Sequence, residues 1–153
     1  MSDLKKQLRP AIPSIQIKSN SSTEEKFQND IIRPIIKLQH DLIVCNFTHF
    51  LARKRVDIVA FNENQKSDYL QKLFKTNTEL KTELRSLIIG LFTLEEYKEY
   101  LKLKPQLNKR INTIIQNRIG SIYLDQTCKA HGMPNSKYST KSIGSKSQMS
   151  IFS

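Results

Sequence analysis

A chain of 153 residues with 38% apolar side chains and a formal charge of +11 has room for one domain with a hydrophobic core. Its longest uninterrupted apolar run, Leu87 to Phe92, is six residues, far short of the roughly 20 that cross a bilayer. The opening MSDLKKQLRPAIPS has no continuous apolar segment, and Cys45 and Cys128 stand too far apart to look like a disulfide framework, so neither a membrane nor a secreted protein is expected.

Residues 1–21 mix Pro, Ser and Asn with a short alternation of Ile12, Ile15 and Ile17, the pattern of a flexible arm lying extended on the body. Ser22 stands three residues before Glu25. At that spacing the Ser oxygen and the Glu carboxylate each satisfy an orphan backbone donor, so the helical domain opens there. A first helix running to about Ile32 packs through Phe27. The stretch Ile31 to Phe50 is the most densely apolar and predicts a buried helix. Ile32, Ile36, Ile43, Phe47, Phe50 and Leu51 share one side at 3.6 residues per turn, and Ile31, Ile35, Leu38, Leu42 and Cys45 widen it. Pro34 would clash with the carbonyl of Asp30 in a continuous helix, so a kink or brief break is expected before a main helix from Pro34 to about Arg55.

Arg53, Lys54 and Arg55 suit the negative end of that helix, and Val56 to Asn62 fits either more helix or a loop. Between Gln65 and Lys75, Tyr69, Leu70, Leu73 and Phe74 recur at helix spacing. Thr76 with Glu79 matches a second capping box, leading into a helix with Leu80, Leu84, Leu87, Ile88 and Leu91 inside. Gly90 is expected to end it in a left-handed conformation. Thr93 with Glu96 then gives a third capping box and a tight hairpin. The helix that follows carries Leu94, Tyr97, Tyr100 and Leu101. Pro105 ends it or opens the last one, which runs to Leu124 with Leu107, Ile111, Ile114, Ile115, Ile119 and Ile122 turned inward. Beyond Leu124 there is little to bury, and residues 125–153 are expected to be a disordered Ser/Lys-rich tail. The fold class is therefore all-α, a compact bundle of five or six helices over residues 22–124 around a long central helix, with disordered basic tails.

Much of the positive charge sits in those tails. Lys5, Lys6, Arg9 and Lys18 against Asp3 give one tail +3, Lys129, Lys137, Lys141 and Lys146 against Asp125 give the other +3, and the body holds the remaining +5. Neither tail has a dense basic run or interleaved aromatic residues, so nucleic acid would be held only nonspecifically. Asp41, Cys45 and His49 recur every four residues, but no second helix offers matching ligands, which argues against a metal site and against a cysteine nucleophile. The more promising group for an anion or a partner is Gln28, Arg33, Asn108, Lys109, Arg110 and Arg118. Guanidinium forks suit carboxylates and phosphates, and the set converges if the last helix packs beside the Pro34 end of the central one. Its competing reading is structural pairing with Asp30, Asp41 or the glutamates of residues 95–99.

The segments FQNDIIRPIIKLQHDLIV (27–44), LIIGLFTLEEYKEYL (87–101) and LNKRINTIIQNRIGS (107–121) together resemble a family of short all-helical bacterial proteins of uncharacterised function, some of which carry the label glyoxalase. The label implies a metal-dependent lyase. Proteins similar to glyoxalase I build that site on paired βαβββ modules, whose strands have no counterpart in this pattern. The residues themselves favour a cytoplasmic, non-catalytic binding or interaction module without a cofactor, acting through a protein partner or self-association. A weak nucleic-acid-associated basic protein is the alternative, and a glyoxalase-type lyase rests on the label alone.

Overall fold

A computed structural model describes residues 2–13 and 21–124. The expected tail at 125–153, together with Ile15 and Ile17, lies outside the described residues. Where an extended arm was expected, the chain begins with a helix, α1 (Ser2–Gln7). The helical body then opens at the predicted position, with Ser22 Oγ accepting from Glu25 N–H at 3.2 Å to start α2 (Thr23–Phe27), although the return bond from the Glu25 carboxylate is not formed among the described residues.

Pro34 is accommodated by a wider turn. A π-helical turn at Gln28–Ile32 follows α2 directly, the Arg33 N–H bonds back to the Gln28 carbonyl, and Pro34 falls in the first turn of α3 (Arg33–Leu38). There its missing N–H and fixed φ do no harm. The break comes instead at Gln39 (φ −87°, ψ 10°), so the expected helix from Pro34 to Arg55 is two helices, α3 and α4 (His40–Arg53). Gln39 Nε2 donates to the Leu87 carbonyl at 3.0 Å, tying this joint to the end of a distant helix.

After α4, Arg55 adopts a left-handed φ of 55°. The Val56 N–H bonds to Leu51 O and the Arg55 N–H to Ala52 O, both at 3.0 Å, the Schellman pattern normally built on glycine. A 3₁₀ turn at Ile58–Ala60 leads to α5 (Glu63–Thr76), which opens with a reciprocal Asn62–Gln65 capping box. A single residue, Asn77, then separates α5 from α6 (Thr78–Ile89), its Oδ1 accepting from Leu80 N–H at 2.9 Å. Asn77 therefore takes the capping role expected of Thr76, whose hydroxyl donates back to the Lys72 carbonyl. Asparagine is the stronger N-cap of the two.

Gly90 is right-handed (φ −60°), contrary to expectation. The chain leaves α6 through two tight i→i−3 turns, Leu91 N to Ile88 O and Phe92 N to Ile89 O. The Thr93–Glu96 box holds as read and starts α7 (Leu94–Lys102), and Pro105 lies at the start of α8 (Lys104–Leu124).

With α2, the π-turn and α3 counted as one rod, the body contains six helices. Ile32, Ile35, Ile36, Ile43, Phe47, Leu84, Ile88, Leu107, Ile111, Ile115 and Ile119 are wholly buried. The Ile31–Phe50 stretch shares the centre with α8, which packs on α5, α6, α7 and the π-turn. Among the described residues there is no strand, and no helix is long and apolar enough to cross a membrane.

Candidate functional site

Helix α8 does run beside the π-turn, and the structure brings together part of the expected cluster. Arg110 Nη1 donates to Gln28 Oε1 at 2.9 Å. Asn108 is committed elsewhere, its Oδ1 accepting from the Tyr100 hydroxyl at 2.6 Å. Lys109 and Arg33 are exposed, and Arg118 is half-buried two turns further along α8. Among the described residues, Arg33, Lys109, Arg110 and Arg118 form no ion pair. Of the acidic partners expected for them, Glu96 is paired with Arg9 and Glu99 with Lys102.

The best-built polar centre is one that sequence reasoning missed. Arg9 forms a two-pronged pair with Glu96, Nη1 to Oε1 and Nη2 to Oε2 at 2.7 Å each, and Nη2 also reaches the Leu91 carbonyl at 2.9 Å. The two side chains are only 8% and 10% exposed. Glu96 Oε2 simultaneously accepts the Thr93 N–H at 2.8 Å, so one carboxylate both caps α7 and binds the amino-terminal segment. Burial pushes the Glu96 carboxyl up. The bonds from Arg9 and Thr93 and the charges of Arg9 and Lys6 outweigh it and hold the group below its usual range. Lys5 completes the contact, Nζ donating to the carbonyls of Gly90 (3.2 Å) and Phe92 (3.0 Å). The only local signal for this centre is the Thr93–Glu96 spacing, since Arg9 is 87 residues away.

Between this segment and the π-turn lies a cavity of about 520 Å³, with Lys6, Arg9 and Ile12 on one wall, Asn29, Asp30 and Pro34 on the other, and Glu96 lining it as well. A second cavity, about 490 Å³, opens between α5 and α8 and is lined mainly by uncharged groups, Ser67, Gln71, Gln116, Asn117 and Ser121 over Leu70. Both fall in the size range of small-molecule clefts.

Cys45 is exposed rather than buried, as are Leu38 and Leu42. These three side chains project outward from α3 and α4, which bury the stripe through Ile35, Ile36, Ile43 and Phe47. Asp41 and His49 are exposed too, and among the described residues no three His, Cys, Asp or Glu side chains converge as metal ligands. Tyr100 is buried against Phe92, with ring centroids 5.6 Å apart, and burial pushes its phenol up. The apolar surface of α7 is instead Leu94, Tyr97 and Leu101, which are 64%, 40% and 48% exposed.

No protein-family model, curated protein or solved structure matches the chain.

Proposed function

We propose that the protein is a non-catalytic interaction module acting through protein–protein contact, with the outer stripe of α7 as its contact surface and a second copy of the chain as its simplest partner. The observation that carries this reading is the exposure of Leu94, Tyr97 and Leu101 at i, i+3 and i+7, three large side chains on one side of a single helix. Glu95, Lys98, Glu99 and Lys102 flank them with alternating sign. Two such helices set antiparallel about a two-fold axis would place each stripe on the other and each lysine near a glutamate. Light scattering across a wide range of concentration tests this. The measured mass should climb from one chain towards two in the wild type and stay at one chain in Leu101→Glu, with helical content unchanged. A wild type that remains a single chain throughout removes self-association through α7.

A second reading has its own supporting observation. The 21 residues of α8 include Lys104, Lys109, Arg110 and Arg118 and no acidic side chain, while Asn and Gln residues between them supply further phosphate-binding groups. This suits a weak nucleic-acid-associated protein. Binding of a generic labelled duplex at about 50 and 200 mM salt would drop steeply over that interval if several phosphates are contacted, and substituting Lys109 and Arg110 would lower it further. Absence of binding at the lower salt leaves protein contact as the function.

A further inference from the structure

We propose that residues 2–13 form a lid that opens as a unit on an intact helical body, with Arg9 seated against Glu96 as its catch. The case starts from how α1 is oriented. Leu4 and Leu8, one turn apart, are 63% and 62% exposed, while Lys5 and Arg9 point to the body and make all five of the segment's side-chain hydrogen bonds to it among the described residues. An ordinary surface helix does the reverse, burying its leucines and exposing its cations.

None of the side chains from 2 to 13 belongs to the hydrophobic core. Removing this segment therefore takes no side chain out of the core; its apolar contribution is limited to the half-buried Pro10 and Ile12 at the cleft. The segment is attached by two cations to three consecutive carbonyls, Gly90, Leu91 and Phe92, and to one carboxylate. Among the described residues Arg9 Nε has no hydrogen-bond partner, so the guanidinium is held through its two terminal nitrogens alone.

The lid has something to cover. Lys6, Arg9 and Ile12 form one wall of the 520 Å³ cleft whose opposite wall is the π-turn, so the cleft has two walls only while the segment is docked. Opening would expose the Glu96 carboxylate, the Ile31 and Pro34 side of the cavity and the end of α6. Once undocked, α1 has no means of persisting, because six residues are too few to sustain a helix in water.

Glu96→Gln separates the catch from the cap. Glutamine at this position still accepts the Thr93 N–H but removes the charge that holds the guanidinium, and Arg9→Gln provides the same loss without touching α7. In the full chain, backbone amide exchange of Leu8 and Arg9, whose N–H groups bond to Leu4 and Lys6 carbonyls, should quicken about tenfold or more in either variant, the loss expected for a charge-assisted bond. The amides of Ile111 and Ile115 in α8 should keep their wild-type rates, and the Lys5 amine should become as reactive to acylation as that of exposed Lys6. Unchanged exchange at Leu8 and Arg9 in both variants would overturn the proposal. So would equal acceleration in α8, because it would make the segment part of one cooperative unit with the body.

Discussion

Helix α8 and the amino-terminal segment lie on the same body and are held to it by opposite means. Four α8 side chains, Leu107, Ile111, Ile115 and Ile119, are wholly buried among other apolar groups, and its cations face outward or across to Gln28. The 2–13 segment presents its leucines to solvent and is fastened by Lys5 and Arg9. Apolar burial is non-directional and spread over many neighbours, so it fails only when the whole core fails. A contact resting on two charged side chains can be lost alone. The difference teaches where the molecule can change shape without unfolding.

The largest expected effect comes from breaking the apolar side of this comparison. Ile115→Ala leaves a cavity among Ile111, Ile119 and their neighbours and should cost about 2–5 kcal/mol, read as a lower denaturation midpoint by circular dichroism. The Arg9–Glu96 contact should survive in the folded fraction, since Ile115 is not part of it.

The polar side should instead yield to acid. Because the docked Glu96 carboxyl is held below its ordinary value of 4.5, it contributes stability to the closed segment that is complete above that value. The contribution is lost as pH falls through the lowered one. Exchange at Leu8 and Arg9, corrected for intrinsic rates, should therefore rise as the solution is taken below about pH 4.5, and in Glu96→Gln this rise should disappear.

A smaller change sharpens the comparison from outside both regions. Arg55 holds a left-handed backbone at the end of α4, a conformation that costs a side-chain-bearing residue about 1–2 kcal/mol and glycine much less. Allowing for glycine's greater freedom in the unfolded chain, Arg55→Gly should raise stability by about 0.5–1 kcal/mol in a urea titration. Amide exchange in the 2–13 segment should not respond.

The apolar framework was legible because it is local. The spacing from Leu107 to Ile119 and from Leu80 to Ile88 places the buried residues directly, and the Ser22 and Thr93 starts follow from short capping patterns. Readings failed where a neighbour distant in sequence intervenes or two local options compete. Gly90 needs no left-handed turn because the carbonyls that end α6 find other donors, Ile88 and Ile89 from the Leu91 and Phe92 N–H groups and Leu87 from the distant Gln39 side chain. Asn77 outcompetes Thr76 by one position. Pro34 is absorbed by a π-turn, a choice that apolar periodicity does not encode. For the candidate sites, the Arg110–Gln28 approach was foreseeable from helix placement, but Asn108 is claimed by Tyr100. Glu96 carried a visible capping role and gave no hint of a partner 87 residues away.

The most direct test of this two-part account is native-state hydrogen exchange of the wild-type chain at neutral pH with urea raised in small steps below the unfolding transition. An opening confined to the segment exposes little surface, so exchange at Leu8 and Arg9 should hardly respond to urea. Exchange at Ile111 and Ile115 should accelerate steeply, as it does for global unfolding. Should all four amides follow one common dependence on urea from the lowest concentration, the segment and the core would be a single cooperative structure, contradicting the account.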